Sequence, residues 1–217
     1  MPNGPVPPCG RDDISGLVLA GGLGTRMQGR DKGLIELGGG TMIERVVARL
    51  RPQVGPLLIS ANRNLSRYRQ LELPVLQDPA AVRHCGPLAG LLAGLTAATT
   101  PWLAVVPCDA PRLPADLVAR LASALERGDL LALASDGARE QPLFCLLSRS
   151  LEPDLAAWLA AGQRSVTGYF ARPPLRRRLR LVDFSDSAEN FLNINRPEDR
   201  AGFSRSAELA PGTGESR

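Results

Sequence analysis

The sequence predicts an α/β fold, a three-layer sandwich in which helices cover both faces of a mostly parallel sheet. Three observations lead there. Short apolar runs of strand length alternate with stretches of helical periodicity between residues 14 and 203. The first run, Ile14 with Leu17, Val18 and Leu19, breaks directly into Gly21, Gly22 and Gly24. Glycine lets a backbone turn tightly and bring its N–H groups close to a ligand. Finally, Ser60, Asp78 and Asp109 each close a later strand run. In open parallel sheets, ligands sit at the carboxyl ends of strands.

The elements follow in order. Residues 1–13 hold four prolines and no apolar period, which predicts a disordered leader. After the first strand and its glycine loop, residues 34–37 lead into the Gly38-Gly39-Gly40 turn. Thr41 and Glu44 then form a capping box for a helix through Val46, Val47 and Leu50. Residues 57–60 read as a buried strand, Arg67, Tyr68 and Leu71 as a short helix, and 74–77 as a strand closed by Asp78. Residues 86–95 are apolar almost all round, so this helix should be buried, with Gly90 and Gly94 as close-packing points. Residues 102–106 form a strand ending at Pro107-Cys108-Asp109-Ala110-Pro111. An amphipathic helix is expected over 114–127, then strands at 130–134 and 142–147, whose short polar link allows an antiparallel pair. A helix around Leu155, Trp158 and Leu159, a strand over 179–184, a last helix from Arg196 and a flexible tail over 204–217 complete the chain.

Composition narrows the function. The chain has 217 residues, 44% hydrophobic and 22% charged, enough for one ordinary globular domain. No apolar run approaches the ~20 residues of a membrane span, and no basic segment precedes an apolar core at the start. A cytoplasmic protein without membrane contact is expected. Cys9, Cys85, Cys108 and Cys145 are widely spaced without C-x-x-C, which suits reduced thiols better than disulfides or a zinc site. A net charge of +4 suits anionic ligands. With aromatics at 4% and no nucleic-acid module, a nucleic-acid partner is not expected. His84 is the only histidine, which removes most Ser-His-Asp and His-rich metal sites.

The candidate site residues follow from chemistry. Arg26 and Lys32 are cations just past the glycine loop, a setting suited to phosphate. The loop is neither a Walker A loop nor G-x-G-x-x-G, since Met27 stands where the third glycine belongs. Asp109, held in a proline-flanked turn, could hold Mg²⁺, a hard cation often bound by one or two carboxylates plus substrate phosphates. A turn or capping aspartate is the plainer alternative. Asp78 could meet a ribose or base, or only close a turn. Gly86 opens a helix whose N-terminus could offer N–H groups to an anion. Asn193 and Asn195, two apart, share one face of a strand and suit a sugar or polar heterocycle. The run Arg172, Arg176, Arg177, Arg178 and Arg180 is either a solvated face or a landing surface for a phosphate-bearing substrate or protein.

The motif Leu-Ala-Gly-Gly-x-x-x-Arg-Met-x-Gly-x-Asp-Lys, from Leu19 to Lys32, resembles the signature of nucleotidyltransferases with a Rossmann-like fold. With Gly-Pro-Leu-Ala-Gly from Gly86, Pro-Cys-Asp-x-Pro from Pro107 and the Asn-x-Asn ending at Asn195, the chain is most similar to the molybdenum cofactor guanylyltransferases. The resemblance implies a Rossmann-like three-layer sandwich of the nucleotide-diphospho-sugar transferase type, with one nucleotidyltransferase domain over 14–203. It implies transfer of GMP from GTP to molybdenum-molybdopterin, with pyrophosphate released. By the same resemblance Leu19, Ala20, Gly21, Gly22, Lys32, Ser60, Asp78, Gly86 and Asp109 would bind the nucleotide. Arg26, Lys32 and Asp109 would be catalytic, Asp109 would hold Mg²⁺, and Asn193 and Asn195 would meet the pterin substrate. Transient contact with molybdopterin-delivering or molybdoenzyme-maturation proteins is also implied. Gln28, Ser60 and Arg196 depart from the common glycine, asparagine and threonine of that family. A nucleotidyltransferase for another acceptor (a cytidylyltransferase for molybdopterin, or one for sugar or polyol phosphates) and a non-catalytic nucleotide-binding module are the rival readings.

Overall fold

Strand β1 (Ile14–Leu19) is apolar on both faces, and a strand of that kind belongs inside a sheet covered on both sides. The computed structural model describes residues 4–20, 31–83 and 85–191. In it β1 pairs in parallel with β2 (Leu57–Ser60) on one side and β4 (Trp102–Pro107) on the other. β3 (Val75–Leu76), β5 (Leu131–Ser135), β6 (Glu140–Ser148) and β7 (Leu179–Asp183) complete a seven-stranded sheet of order β3-β2-β1-β4-β6-β5-β7. β6 alone runs against its neighbours β4 and β5, and β7 lies parallel to β5. The expected antiparallel β5–β6 pair therefore forms. Its link is tied by Asp136 Oδ1, which accepts from the N–H groups of Ala138 and Arg139 at 2.9 and 2.8 Å.

Alternation along the strands divides the core into two layers. Ile14, Val18, Ile59, Ala104 and Val106 face α1 (Met42–Leu50) and α4 (Leu117–Ser123). Leu17, Leu58, Leu103 and Val105 face α3 (Pro87–Ala97) and α5 (Glu152–Ala160). The three-layer sandwich read from the sequence is thus the one observed. The Thr41–Glu44 capping box is present at the start of α1. α3 is buried from Leu88 to Leu95. A Cβ at Gly94 would lie 2.5 Å from Leu17 Cδ2, so the glycine is there for contact between helix and sheet.

The structure departs from expectation at three places. The helix expected over 114–127 is the shorter α4, because the carboxylate of Asp129 takes the N–H of Glu126 at 2.7 Å and Gly128 turns the chain at φ +96°. Leu125 remains buried nonetheless. The leader expected to be disordered is attached from residue 4 onward. Trp102 is buried and its indole N–H needs a partner; it donates to Val6 O at 2.9 Å, and Gly128 N donates to Pro5 O at 3.1 Å. Two short helices, α6 (Val166–Ala171) and α7 (Pro173–Arg176), occupy a stretch for which the sequence predicted none. Two further features bear on the site: the short helix α2 (Leu65–Arg69) behind β2, and a turn of 3-10 helix at Lys32–Leu34. Among the described residues, no helix is long and apolar enough to cross a membrane.

Candidate active site

The carboxyl ends of β1, β2 and β4 are locked together by backbone hydrogen bonds. Ala20 N donates to Ser60 O at 2.8 Å, and Cys108 N donates to Leu19 O at 3.0 Å. This brings Leu19, Ala20, Ser60 and Asp109 to one rim, as their positions at strand ends predict. Asp109 follows β4 directly and is 8% exposed. Its Oδ2 receives a hydrogen bond from Lys32 Nζ at 2.9 Å, although 77 residues separate the two. The two expected catalytic residues that fall among the described ones are therefore in direct contact. Lys32 is also the chain's only lysine; every other member of its Lys and Arg count is arginine. A compact ammonium can leave one oxygen for another, whereas an arginine fork binds a carboxylate by two parallel bonds.

Lys32 is held from both sides. The carboxylate of Asp31 is 5% exposed. It accepts from Tyr68 Oη at 2.5 Å and from Asn64 Nδ2 at 2.9 Å, and Arg63 Nε lies 3.6 Å away. Burial, then the Asp31 hydrogen bond, raises the Tyr68 phenol above its ordinary value, so the ring stays neutral and donates. On the other side of Lys32, a Cβ at Gly33 would stand 2.7 Å from the Tyr68 oxygen and 3.5 Å from Cys108 Cβ. Asp31, Asn64 and Tyr68 were absent from the expected site residues. Asp31 stood in the quoted motif beside Lys32 without a role, and nothing marked Asn64 and Tyr68 as its partners, because contacts across 33 and 37 residues have no local pattern.

The other expected nucleotide contacts are spread along the same rim. Ser60 is 1% exposed, and a Cβ at Gly90 would lie 2.7 Å from its Oγ, so its hydroxyl lies against α3. Asp78 follows β3, one strand further out; its N–H donates to Asn62 Oδ1 at 2.9 Å. Asn62 thus fixes the turn that carries Asp78. Gly86 caps the start of α3 at φ +70°, a conformation that glycine adopts readily. Gly21, Gly22, Arg26, Asn193 and Asn195, together with Gln28, His84 and Arg196, lie outside the described residues.

The basic run is not one open cationic face. Arg172 pairs with Asp154 and lies over the rings of Trp158 and Tyr169. Arg176 pairs with Glu140 at 2.7 Å. Arg178 donates from Nε to Gly128 O at 2.6 Å, and Arg180 contacts both Asp129 and Glu126. Acidic partners spread over several elements neutralise most of what the sequence shows as a block.

Asp109 is the rim residue that could hold a divalent cation. Asp109 offers carboxylate oxygens, and a cation that takes most ligands from phosphate needs little more from the protein. A closed zinc site would need several nitrogen or sulfur ligands, and the described residues hold no cluster of three His, Cys, Asp or Glu side chains. The neighbouring thiol is unsuited to attack: Cys108 is buried, and that burial, then the Asp109 carboxylate, raises its pKa above the ordinary thiol value.

Fold and rim together define a nucleotidyltransferase. A MobA-like NTP transferase domain matches residues 16–176. A molybdenum cofactor guanylyltransferase of Shewanella sp. (strain ANA-3) is 45% identical over 188 residues, covering 86% of this chain and 93% of the relative. One of Cupriavidus necator is 49% identical over 191 residues, covering 85% and 93%. The crystal structure of molybdopterin-guanine dinucleotide biosynthesis protein A from Archaeoglobus fulgidus superposes with a TM-score of 0.69 at 21% identity, over 90% of this chain and all of that one, and so shares the fold. The chain belongs to the molybdenum cofactor guanylyltransferase family.

Proposed function

We propose that this chain transfers GMP from GTP to molybdenum-molybdopterin, forming molybdopterin guanine dinucleotide and releasing pyrophosphate. The observation that carries this reading is the Lys32–Asp109 pair at the strand-end rim, in a chain 45% and 49% identical to enzymes of that name. A phosphate oxygen of molybdopterin attacks the α-phosphorus of GTP. A new P–O bond forms there as the bond to the bridging oxygen breaks, and pyrophosphate leaves with that electron pair. No protein nucleophile is needed, so catalysis consists of alignment and charge neutralisation.

The chain's residues divide this work. Leu19, Ala20, Gly21 and Gly22 would line the nucleotide through their backbone, with Asp78 and the Gly86 end of α3 beside them. Ser60 would contribute by seating α3 against β2. Asp109 would hold Mg²⁺, which when bound supplies positive charge to the phosphate oxygens. Lys32 would then exchange the Asp109 oxygen for phosphate, joined by Arg26. Asn193 and Asn195 would face the pterin. Such a reaction belongs in the cytoplasm, where GTP is supplied, and its product must pass to the enzymes that use it, which suits transient contact with maturation proteins.

A thermal-shift series with GTP, CTP, ATP, UTP and dTTP, each with and without Mg²⁺, tests the base. A ligand at a hundred times its dissociation constant stabilises by ~2.7 kcal/mol, a rise of several degrees in a domain of this size. GTP with Mg²⁺ should give the largest shift. A larger shift with CTP would move the reading to a cytidylyltransferase.

A further inference from the structure

We infer that Asp31 and Tyr68 are positioning residues, which set the reach of Lys32 and hence its part in phosphoryl chemistry. The inference rests on the catalytic role given to Lys32 above. Three features carry it. The Asp31 side chain is only 5% exposed, and its carboxylate bonds Tyr68 and Asn64, with Arg63 beside it, while the next residue, Lys32, reaches Asp109. Tyr68 is fully buried, and its hydroxyl lies close enough to Gly33 to leave no room for a side chain there. Lys32, between these two fixed residues, is itself 29% exposed and extends to Asp109.

The segment 31–33 is therefore clamped at both ends, and its one long side chain reaches from the clamp to Asp109. A buried carboxylate that accepts two hydrogen bonds is hard to displace, since its donors would be left unmet. The phenol is the keystone because it serves both ends: it donates to Asp31 and packs under Gly33. Asp31 and Tyr68 would touch neither GTP nor molybdopterin. They would act by keeping the ammonium within reach of the Asp109 oxygen and, after exchange, of the phosphate.

Two measurements test this. The first is a mutant cycle on transfer kinetics: Tyr68→Phe and Asp31→Asn, each alone and combined with Lys32→Ala. Tyr68→Phe keeps the ring and removes the donor; Asp31→Asn keeps one carbonyl acceptor for the phenol. Misplacement of a catalytic group by about 1 Å can reduce rates about a hundredfold. The expected result is a fall in kcat of roughly tenfold to a hundredfold for Tyr68→Phe and a smaller fall for Asp31→Asn. KM for GTP should change much less, and neither substitution should add to the loss caused by Lys32→Ala. The inference is overturned if both substitutions slow the Lys32→Ala enzyme as much as they slow the parent. The second measurement needs no turnover. As Lys32 is the only lysine, an amine-acylating reagent read by peptide mass reports on this side chain alone. Labelling should be several-fold faster in folded Tyr68→Phe, with melting curves confirming the fold; an unchanged rate overturns the inference. Absence of transfer by the parent protein would sink the proposed function, while the labelling result would still decide the clamp.

Discussion

Asp109→Ala should lose Mg²⁺-dependent transfer almost completely while the protein stays folded. The expected fall in kcat is roughly a hundredfold to a thousandfold, since a metal at a phosphoryl site supplies several kcal/mol and each ~1.4 kcal/mol is tenfold in rate. Asp109 belongs to a proline-flanked turn after β4, not to either core layer, so its removal opens no cavity between helix and sheet. Its carboxylate bonds Lys32, which is partly in water and can resolvate. Asp109→Asn is the stricter test, because it keeps the shape and removes the charge. Turnover near normal in either variant, at saturating Mg²⁺, would refute the metal assignment.

Lys32→Ala should cost nearly as much, and by a different route. Removing one preorganised donor to a developing charge lowers kcat by about a hundredfold to a thousandfold in other enzymes. Asp109 would keep its carboxylate and lose the cation beside it, so Mg²⁺ should still bind. The loss should therefore persist when Mg²⁺ is raised, whereas a loss due to weak metal binding would recover. Lys32→Arg should not restore the rate, because a planar fork on Asp109 does not exchange partners as an ammonium does. Full activity with arginine there would show that any cation suffices, and would remove the exchange step from the proposed mechanism.

The sheet was legible because its signal is local. The continuous apolar runs of β1 and β4, the capping box at Thr41 and the apolar surface of α3 are each written in a few consecutive residues. Strand ends were legible for the same reason, and they located Asp78 and Asp109. The clamp on Asp31 was not, since its partners lie on α2 and the turn before it, and nothing local marks Tyr68 as their donor. The arginine run could not be resolved locally either: Arg172, Arg176 and Arg180 find Asp154, Glu140, Asp129 and Glu126 on other elements. α4 fell short of its apolar period because Asp129, beyond the helix, captures a backbone N–H that the pattern assigns to the last turn.

The most direct measurement follows the label. Purified protein would be incubated with molybdenum-molybdopterin, Mg²⁺ and GTP carrying a radioactive α-phosphorus, with CTP labelled in the same way run in parallel. The expected result is label from GTP in a dinucleotide cofactor, one pyrophosphate released for each GMP transferred, and little label from CTP. Label entering the cofactor from CTP in preference to GTP, or pyrophosphate release from neither nucleotide, would contradict guanylyl transfer by this chain.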